Sequence, residues 1–252
     1  MMSELKDAEE FLGRKIGISG EHKLHTYITT ARRWFDADPK TPEEMNLVYE
    51  EKEFGEHYLE DLVLYHQRDE TRILLQRVMK AISKYLLEKK KDKIRVFDFG
   101  CGSADILLSL DKEIEKVGYD LNTVPFKFAK WRAKKHSIDI HLINKIPKNK
   151  FDMIICSDVL EHLPDPWKVI EYFKSIMIKD ETLLFIAWAV HKHGYSAGLK
   201  PMEINYCPKY YWLKMVEAGF RFYEYKVSDP KCKKNEMLKG YFWRYEGKEV
   251  SK

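Results

Sequence analysis

Over the first ninety residues, apolar positions recur at spacings of three and four with no strand-like alternation, so this stretch predicts helices. Residues 5–14 and 24–35 form two short amphipathic stretches separated by Gly17 and Gly20. Pro39 and Pro42 then punctuate the chain before another helix begins near Glu43. Residues 70–87 align Ile73, Leu74, Val78, Ala81, Ile82 and Leu86 on one stripe, as a helix packed on a core does. After Lys93 the period shortens. Ile94–Phe99 and residues 116–120, 138–143, 151–157 and 182–189 are rich in β-branched and aromatic side chains and read as strands, with helical stretches between most of them.

Such alternation predicts βαβ units in a parallel sheet covered on both faces, which accounts for strands that are apolar almost throughout. The handedness of crossovers favours a doubly wound α/β sheet. The C-terminal part departs from this pattern. A helix over residues 208–218 stops at Gly219, and two aromatic strands, 220–227 and 240–245, follow with no helix between them, which predicts an antiparallel pair.

Composition narrows the class. In 252 residues, 44% hydrophobic and 33% charged, no apolar run nears the roughly 20 residues of a membrane span. The first ten residues carry four acids and no apolar stretch before a cleavage site, so no export or transit signal is expected and the cytoplasm is the expected compartment. Cys101, Cys156, Cys207 and Cys232 lack paired metal-ligand spacing and are expected as free thiols. A net charge of +4 is too mild to argue for a nucleic-acid partner, and the basic run at residues 89–93 reads as a solvated helix end.

The chemistry concentrates where the first strand ends. Val96, Phe97, Asp98 and Phe99 run into Gly100, Cys101 and Gly102, and a helix follows. Glycines there permit a sharp turn and close approach to a ligand, and the helix start offers unpaired N–H groups. About twenty residues on, Asp120 closes the next strand, where wound folds place a partner for ribose hydroxyls. A dinucleotide-binding dehydrogenase would need a third glycine where Asp105 stands, and a carboxylate there repels a pyrophosphate.

Residues 98–103, Asp-Phe-Gly-Cys-Gly-Ser, resemble the first motif of class I S-adenosylmethionine-dependent methyltransferases, and Asp120 matches their ribose-binding acid. The run from Phe151 through Ser157, Asp158, Glu161 and His162 to Pro166 is similar to the fourth-strand motif of the ubiquinone-biosynthesis O-methyltransferase branch. The resemblance covers residues 72–222 and implies a Rossmann-like methyltransferase domain over residues 61–252, preceded by a helical extension or lid over residues 1–60. It implies S-adenosyl-L-methionine as cofactor. Gly100, Cys101 and Gly102 would line its methionine part, Asp120 and Leu121 its ribose, and Ser157 and Asp158 the neighbourhood of its sulfonium. Asp98 would anchor the loop or receive the amino group through water, and Arg72, with Arg68 as second choice, would meet the carboxylate. Three positions depart from the pattern: Ala104 replaces a third glycine, residues 144–147 lack the usual acid near adenine, and residues 179–181 replace a proline-glycine turn.

Methyl transfer to a hydroxyl benefits from a base, and His162 is the candidate nearest the expected methyl position; its other reading is a residue that caps or packs the loop before Pro164. Glu161 reads either as a helper to a divalent cation or as a solvated carboxylate, and no metal site is expected. Cys156 reads as a buried thiol. Residues 205–212 resemble the substrate segment of methyltransferases acting on glycans and natural products, yet Tyr211, Trp212, Met215 and Val216 equally form a core stripe. Residues 189–201, with the N-terminal helices, are expected to shape the acceptor pocket. The expected activity is therefore methyl transfer to a hydroxyl of a small-molecule, natural-product or glycan-type acceptor. A silent cofactor-binding module, or an N-methyltransferase acting on a small molecule or RNA, is the alternative.

Overall fold

A computed structural model describes residues 4–37, 41–67, 93–163, 165–188, 208–223 and 239–247. Four helices come first: α1 (Glu4–Leu12), α2 (Gly20–Ala37), α3 (Pro42–Glu50) and α4 (Lys52–His66). Thr41 starts α3 with a capping box, its hydroxyl accepting from the Glu44 amide while the Glu44 carboxylate accepts from the Thr41 amide. The single helix expected near Glu43 is two, because Glu51 takes an extended conformation between them. The helix expected at residues 70–87 lies outside the described residues.

The wound region follows: β1 (Ile94–Phe99), α5 (Asp105–Leu108), β2 (Ile114–Tyr119), α6 (Val124–Lys135), β3 (His141–Ile143), β4 (Met153–Ser157), α7 (Pro166–Ile176), β5 (Leu183–Trp188), α8 (Pro208–Glu217), β6 (Phe220–Tyr223) and β7 (Lys239–Tyr245). These strands form one mixed sheet in the order β3-β2-β1-β4-β5-β7-β6. The first five are parallel, and β7 runs antiparallel between β5 and β6, the C-terminal pair expected from the sequence. Strand order reverses at the β1–β4 boundary, so a crevice opens beyond the carboxyl ends of those two strands, the place where open wound sheets hold ligands.

Alternation within β1 divides the core. Val96 packs on one face with Phe126, Ala129 and Phe185, whereas Phe97 and Phe99 pack on the other with Ile170, Phe173 and Trp243. The strand expected from residue 138 begins only at His141. The Ile138 amide still closes the preceding helix on Ala133, and Ser137 adopts a left-handed conformation, so Ile138 and Ile140 reach the core from a turn. At the other end of the sheet Tyr211 and Met215 of α8 are buried in the core and Trp212 packs against them, but Val216 is 57% exposed and leaves the expected stripe.

The N-terminal helices pack on the outer face of α6, where Ala8, Leu59, Val63 and Leu64 meet Val124 and Phe128. The approach is close: a Cβ on Gly55 would fall 2.4 Å from Val124 Cγ2. No described helix is long and apolar enough to cross a membrane.

Candidate functional site

The turn leaving β1 is built on left-handed backbone. Gly100, Gly102 and Ala104 have φ of 75°, 51° and 56°. Ala104, standing where a third glycine was expected, takes up the glycine conformation despite its methyl, at a cost of roughly 1–2 kcal/mol. The amides of Gly100 and Cys101 both donate to the Tyr119 carbonyl, which ties the turn to the end of β2. Asp120 completes the tie: its carboxylate accepts from the Gly102 amide at 2.6 Å and from the Leu121 amide at 2.7 Å. Burial pushes the Asp120 carboxyl up to about 6, with those two amide bonds pulling against it.

Beneath the turn Asp98 is only 3% exposed. Burial and then the charge of Asp120 push its carboxyl up to about 8, so at neutral pH it is protonated. Cys101 directs its sulfur inward, against the position a Cβ on Gly118 would take, and only its backbone belongs to the turn.

Across the switch point, β4 ends in Ser157, whose hydroxyl donates to the Asp158 carboxylate at 3.2 Å. Asp158 has φ of 53° and donates its amide to Ala187, which bends the chain into the short 3₁₀ turn Leu160–His162. Val159 inside this bend lies directly against Gly100: a Cβ there would sit 2.3 Å from Val159 Cγ2. His162 is half-buried, and its Nδ1 finds no hydrogen-bond partner among the described residues. Burial lowers its pKa below the ordinary imidazole value, only partly offset by Asp158. It is thus a neutral imidazole at the rim of the crevice, in the protonation state a base requires.

Sequence reasoning missed two contributors. The first is α4, which roofs the turn: Leu62 Cδ2 lies 3.4 Å from where a Cβ on Gly102 would be. A stripe of Phe54, Tyr58 and Leu62 four residues apart was the available signal. The second is a buried ionic cluster joining α1 to this site. Glu4 accepts from Ser103 at 2.9 Å and pairs with His66 at 3.1 Å. Arg132 reaches Asp105 at 3.1 Å and Asp7 at 3.3 Å. Glu4, His66 and Asp105 approach one another closely enough to suggest a metal triad, but the Arg132 guanidinium, 3.7 Å from Glu4, already supplies the cation. Nothing local in the sequence announces partners 99 to 125 residues apart.

The structure therefore gathers Asp98, Gly100, Cys101, Gly102, Asp120 and Leu121 on one side of the crevice, and Ser157, Asp158 and His162 on the other. Arg68 and Arg72, residues 189–201 and residues 205–207 lie outside the described residues.

A switch-point crevice bounded by a glycine turn and a strand-end acid is the arrangement by which wound α/β proteins hold nucleosides. Residues 67–235 match the family model for a methyltransferase domain, and the chain belongs to that family. The ubiquinone biosynthesis O-methyltransferase of Haemophilus ducreyi is 29% identical over 142 residues, which cover 52% of this chain and 57% of the relative; this chain thus matches little more than half of that protein's length. Among solved structures, the CurJ carbon methyltransferase matches at a TM-score of 0.68 and 13% identity, covering 96% of this chain and 71% of that one. The magnesium protoporphyrin IX methyltransferase of Synechocystis, solved with bound S-adenosylmethionine, matches at 0.52 and 16%, covering 84% and 89%. The fold is that of S-adenosylmethionine-dependent methyltransferases.

Proposed function

We propose that this chain transfers a methyl group from S-adenosyl-L-methionine to a hydroxyl of a small-molecule, natural-product or glycan-type acceptor. The observation that carries the reading is the Asp120 carboxylate, bridged to the glycine turn through Gly102 beside the switch point of the sheet. The residues fit this cofactor. Two glycine φ values in the left-handed region let the backbone come close to a ligand, and Asp98, buried without any cation among the groups that shift it, suits a site completed by a positively charged molecule. The family's curated relatives named as O-methyltransferases support an oxygen acceptor.

When bound, the cofactor supplies an electrophilic methyl carbon on a positively charged sulfur. Asp120 would accept the ribose hydroxyls, the Gly100–Gly102 backbone would line the methionine part, and Ser157 and Asp158 opposite would lie beside the sulfonium. Arg72 would take the carboxylate. The chain's contribution to the reaction is alignment and exclusion of water, effects worth on the order of 7 to 11 kcal/mol. His162 removes the hydroxyl proton as the acceptor oxygen attacks, a role its neutral imidazole can fill at physiological pH.

Incubation with methyl-labelled S-adenosyl-L-methionine and a panel of phenols, sugars and other hydroxyl compounds tests this directly. His162→Gln is expected to lower kcat by roughly 10²- to 10⁴-fold with cofactor affinity unchanged. Tight cofactor binding with no transfer to any acceptor would instead identify a silent binding module, and absence of cofactor binding would overturn the reading altogether.

A further inference from the structure

The glycine turn is pinned at three points, and the third lies outside the wound sheet. Gly100 and Cys101 donate their amides to the Tyr119 carbonyl, and the Gly102 amide donates to Asp120 at 2.6 Å. The next residue, Ser103, is 1% exposed, and its hydroxyl donates to the Glu4 carboxylate of α1 at 2.9 Å. Ala104 follows with φ of 56°, a left-handed backbone that a residue with a side chain keeps only where its surroundings over-determine it. Ser103, its immediate neighbour, supplies such a restraint.

Glu4 is itself fixed from two further directions. Oε1, which accepts from Ser103, lies 3.7 Å from the Arg132 guanidinium of α6, and Oε2 lies 3.1 Å from Nδ1 of His66 at the end of α4. His66 stands one helical turn beyond Leu62, the side chain over Gly102. One buried carboxylate thus joins the turn to both helices beside it. The rest of α1 has attachments of its own: Asp7 reaches Lys135 at 2.9 Å and His136 at 2.8 Å, and Ala8 packs in the core with Leu59 and Val63. Loss of the Glu4 contact leaves these in place.

We propose that Glu4 is a positioning residue for the cofactor, acting through Ser103 to hold the turn from Gly100 to Ala104 in the shape that receives the methionine part. The inference rests on the reading proposed above, in which that turn lines the ligand. A turn held beforehand in its bound shape spares the ligand the cost of ordering it, so the bond from Ser103 to α1 contributes to affinity without contact between Glu4 and the ligand. By linkage, the bound ligand strengthens the attachment of Glu4 to the turn by the same factor.

The test is a double-mutant cycle in affinity, measured by calorimetry on the full chain with S-adenosylhomocysteine. Glu4→Ala and Ser103→Ala are each expected to weaken binding by about three- to tenfold, and the double variant by no more than the weaker-binding single one, because both remove the same bond. Glu4→Gln keeps an acceptor oxygen for Ser103 and gains an amide that can donate to a neutral His66, so it is expected to bind within about twofold of the parent. Asp7→Asn, which loosens α1 away from the turn, is expected to lower Tm with affinity also held within about twofold. If Glu4→Ala does not fold, as circular dichroism would show, Ser103→Ala and Glu4→Gln decide the matter, a loss in the first and none in the second being the expected pair. Unchanged affinity in Ser103→Ala, additive losses in the cycle, or an equal loss in Asp7→Asn overturns the proposal while the methyl-transfer reading stands. If the parent chain binds neither S-adenosylhomocysteine nor S-adenosyl-L-methionine, that reading falls and this one with it.

Discussion

Asp98 and Asp120 are two buried carboxyls at neighbouring strand ends, and each raises the question of its charge. Both carboxyls are raised, Asp98 to about 8 and Asp120 to about 6, chiefly by burial, and the charge on Asp120 adds to the cost of ionising Asp98. A carboxyl whose pKa is raised on folding holds its extra proton over the window from the ordinary carboxylate range up to that raised value, so its contribution to stability declines as pH rises through the window. At pH 7 the protein therefore carries Asp98 neutral and Asp120 mostly charged. In the proposed reading, the ammonium and sulfonium of S-adenosyl-L-methionine would come beside them and favour the ionised form of Asp98, and a proton would leave. Calorimetry at pH 7 in two buffers of different ionisation enthalpy is expected to show release approaching one proton per cofactor bound, falling to none above about pH 9, where Asp98 is already ionised. Asp98→Asn is expected to abolish the release. Heats that do not depend on the buffer at pH 7 would place the ligand's cation away from Asp98.

At the scale of elements, the turn after β1 and the bend after β4 are one mechanical unit, because Gly100 and Val159 occupy adjoining space. A methyl on Gly100 would lie 2.3 Å from Val159 Cγ2 and 3.0 Å from Cγ1, so the whole stiff side chain must move, and the Asp158–His162 bend with it. The position also has φ of 75°. Gly100→Ala thus combines a left-handed penalty of roughly 1–2 kcal/mol with an overpacking cost of about 1–3 kcal/mol. At Gly102 the nearest atom is Leu62 Cδ2 at an ordinary 3.4 Å, so Gly102→Ala carries the backbone penalty alone. Thermal denaturation is expected to rank Gly100→Ala as clearly the less stable of the two, and equal melting temperatures would show that the two segments yield independently. The turn itself was legible in the sequence because glycine spacing and a strand-end acid are local signals, and so were the first five strands and the antiparallel pair. The packing of Val159 on Gly100 was not, since contact between residues fifty-nine positions apart leaves no trace in periodicity.

For the whole molecule, the N-terminal helices are expected from the sequence as an extension or lid that helps to shape the acceptor pocket, but their amphipathic pattern shows only that they pack, not what they pack on. What they pack on includes the site. Ser103 and Asp105, in the segment that the glycine turn leads into, share one buried cluster with Glu4, Asp7 and His66, and Arg132 on α6 stands at its centre, 2% exposed. Asp105, whose charge argued against a pyrophosphate, pairs with that arginine. Burial pushes Glu4 up, but His66 and then Arg132 outweigh it and hold the carboxyl below its ordinary value. Burial likewise lowers His66, and Glu4 outweighs it to give a raised imidazole. A depressed acid stabilises above its unfolded pKa and loses that contribution as pH falls through its folded value; a raised histidine stabilises below about 6.5 and loses its contribution as pH rises through its folded value. The pair is therefore strongest between the carboxylate range and a pH somewhat above 6.5. Removing the central cation while keeping its bulk, Arg132→Met, takes the ion-pair partner from Asp105 and one of the cations from Glu4 and Asp7, a change that costs about 3–5 kcal/mol near neutrality and lowers Tm by roughly 10 °C in a chain of this size. Without Arg132 the carboxyls of Glu4 and Asp105 rise, so they protonate at mildly acid pH and the charge that needed the arginine disappears. The deficit of the variant is thus expected to be full at pH 7 and much smaller at pH 5, as read from melting curves of both proteins at the two values. A deficit that does not change with pH would mean that Arg132 holds the N-terminal layer to the site by packing on Phe128 rather than by charge.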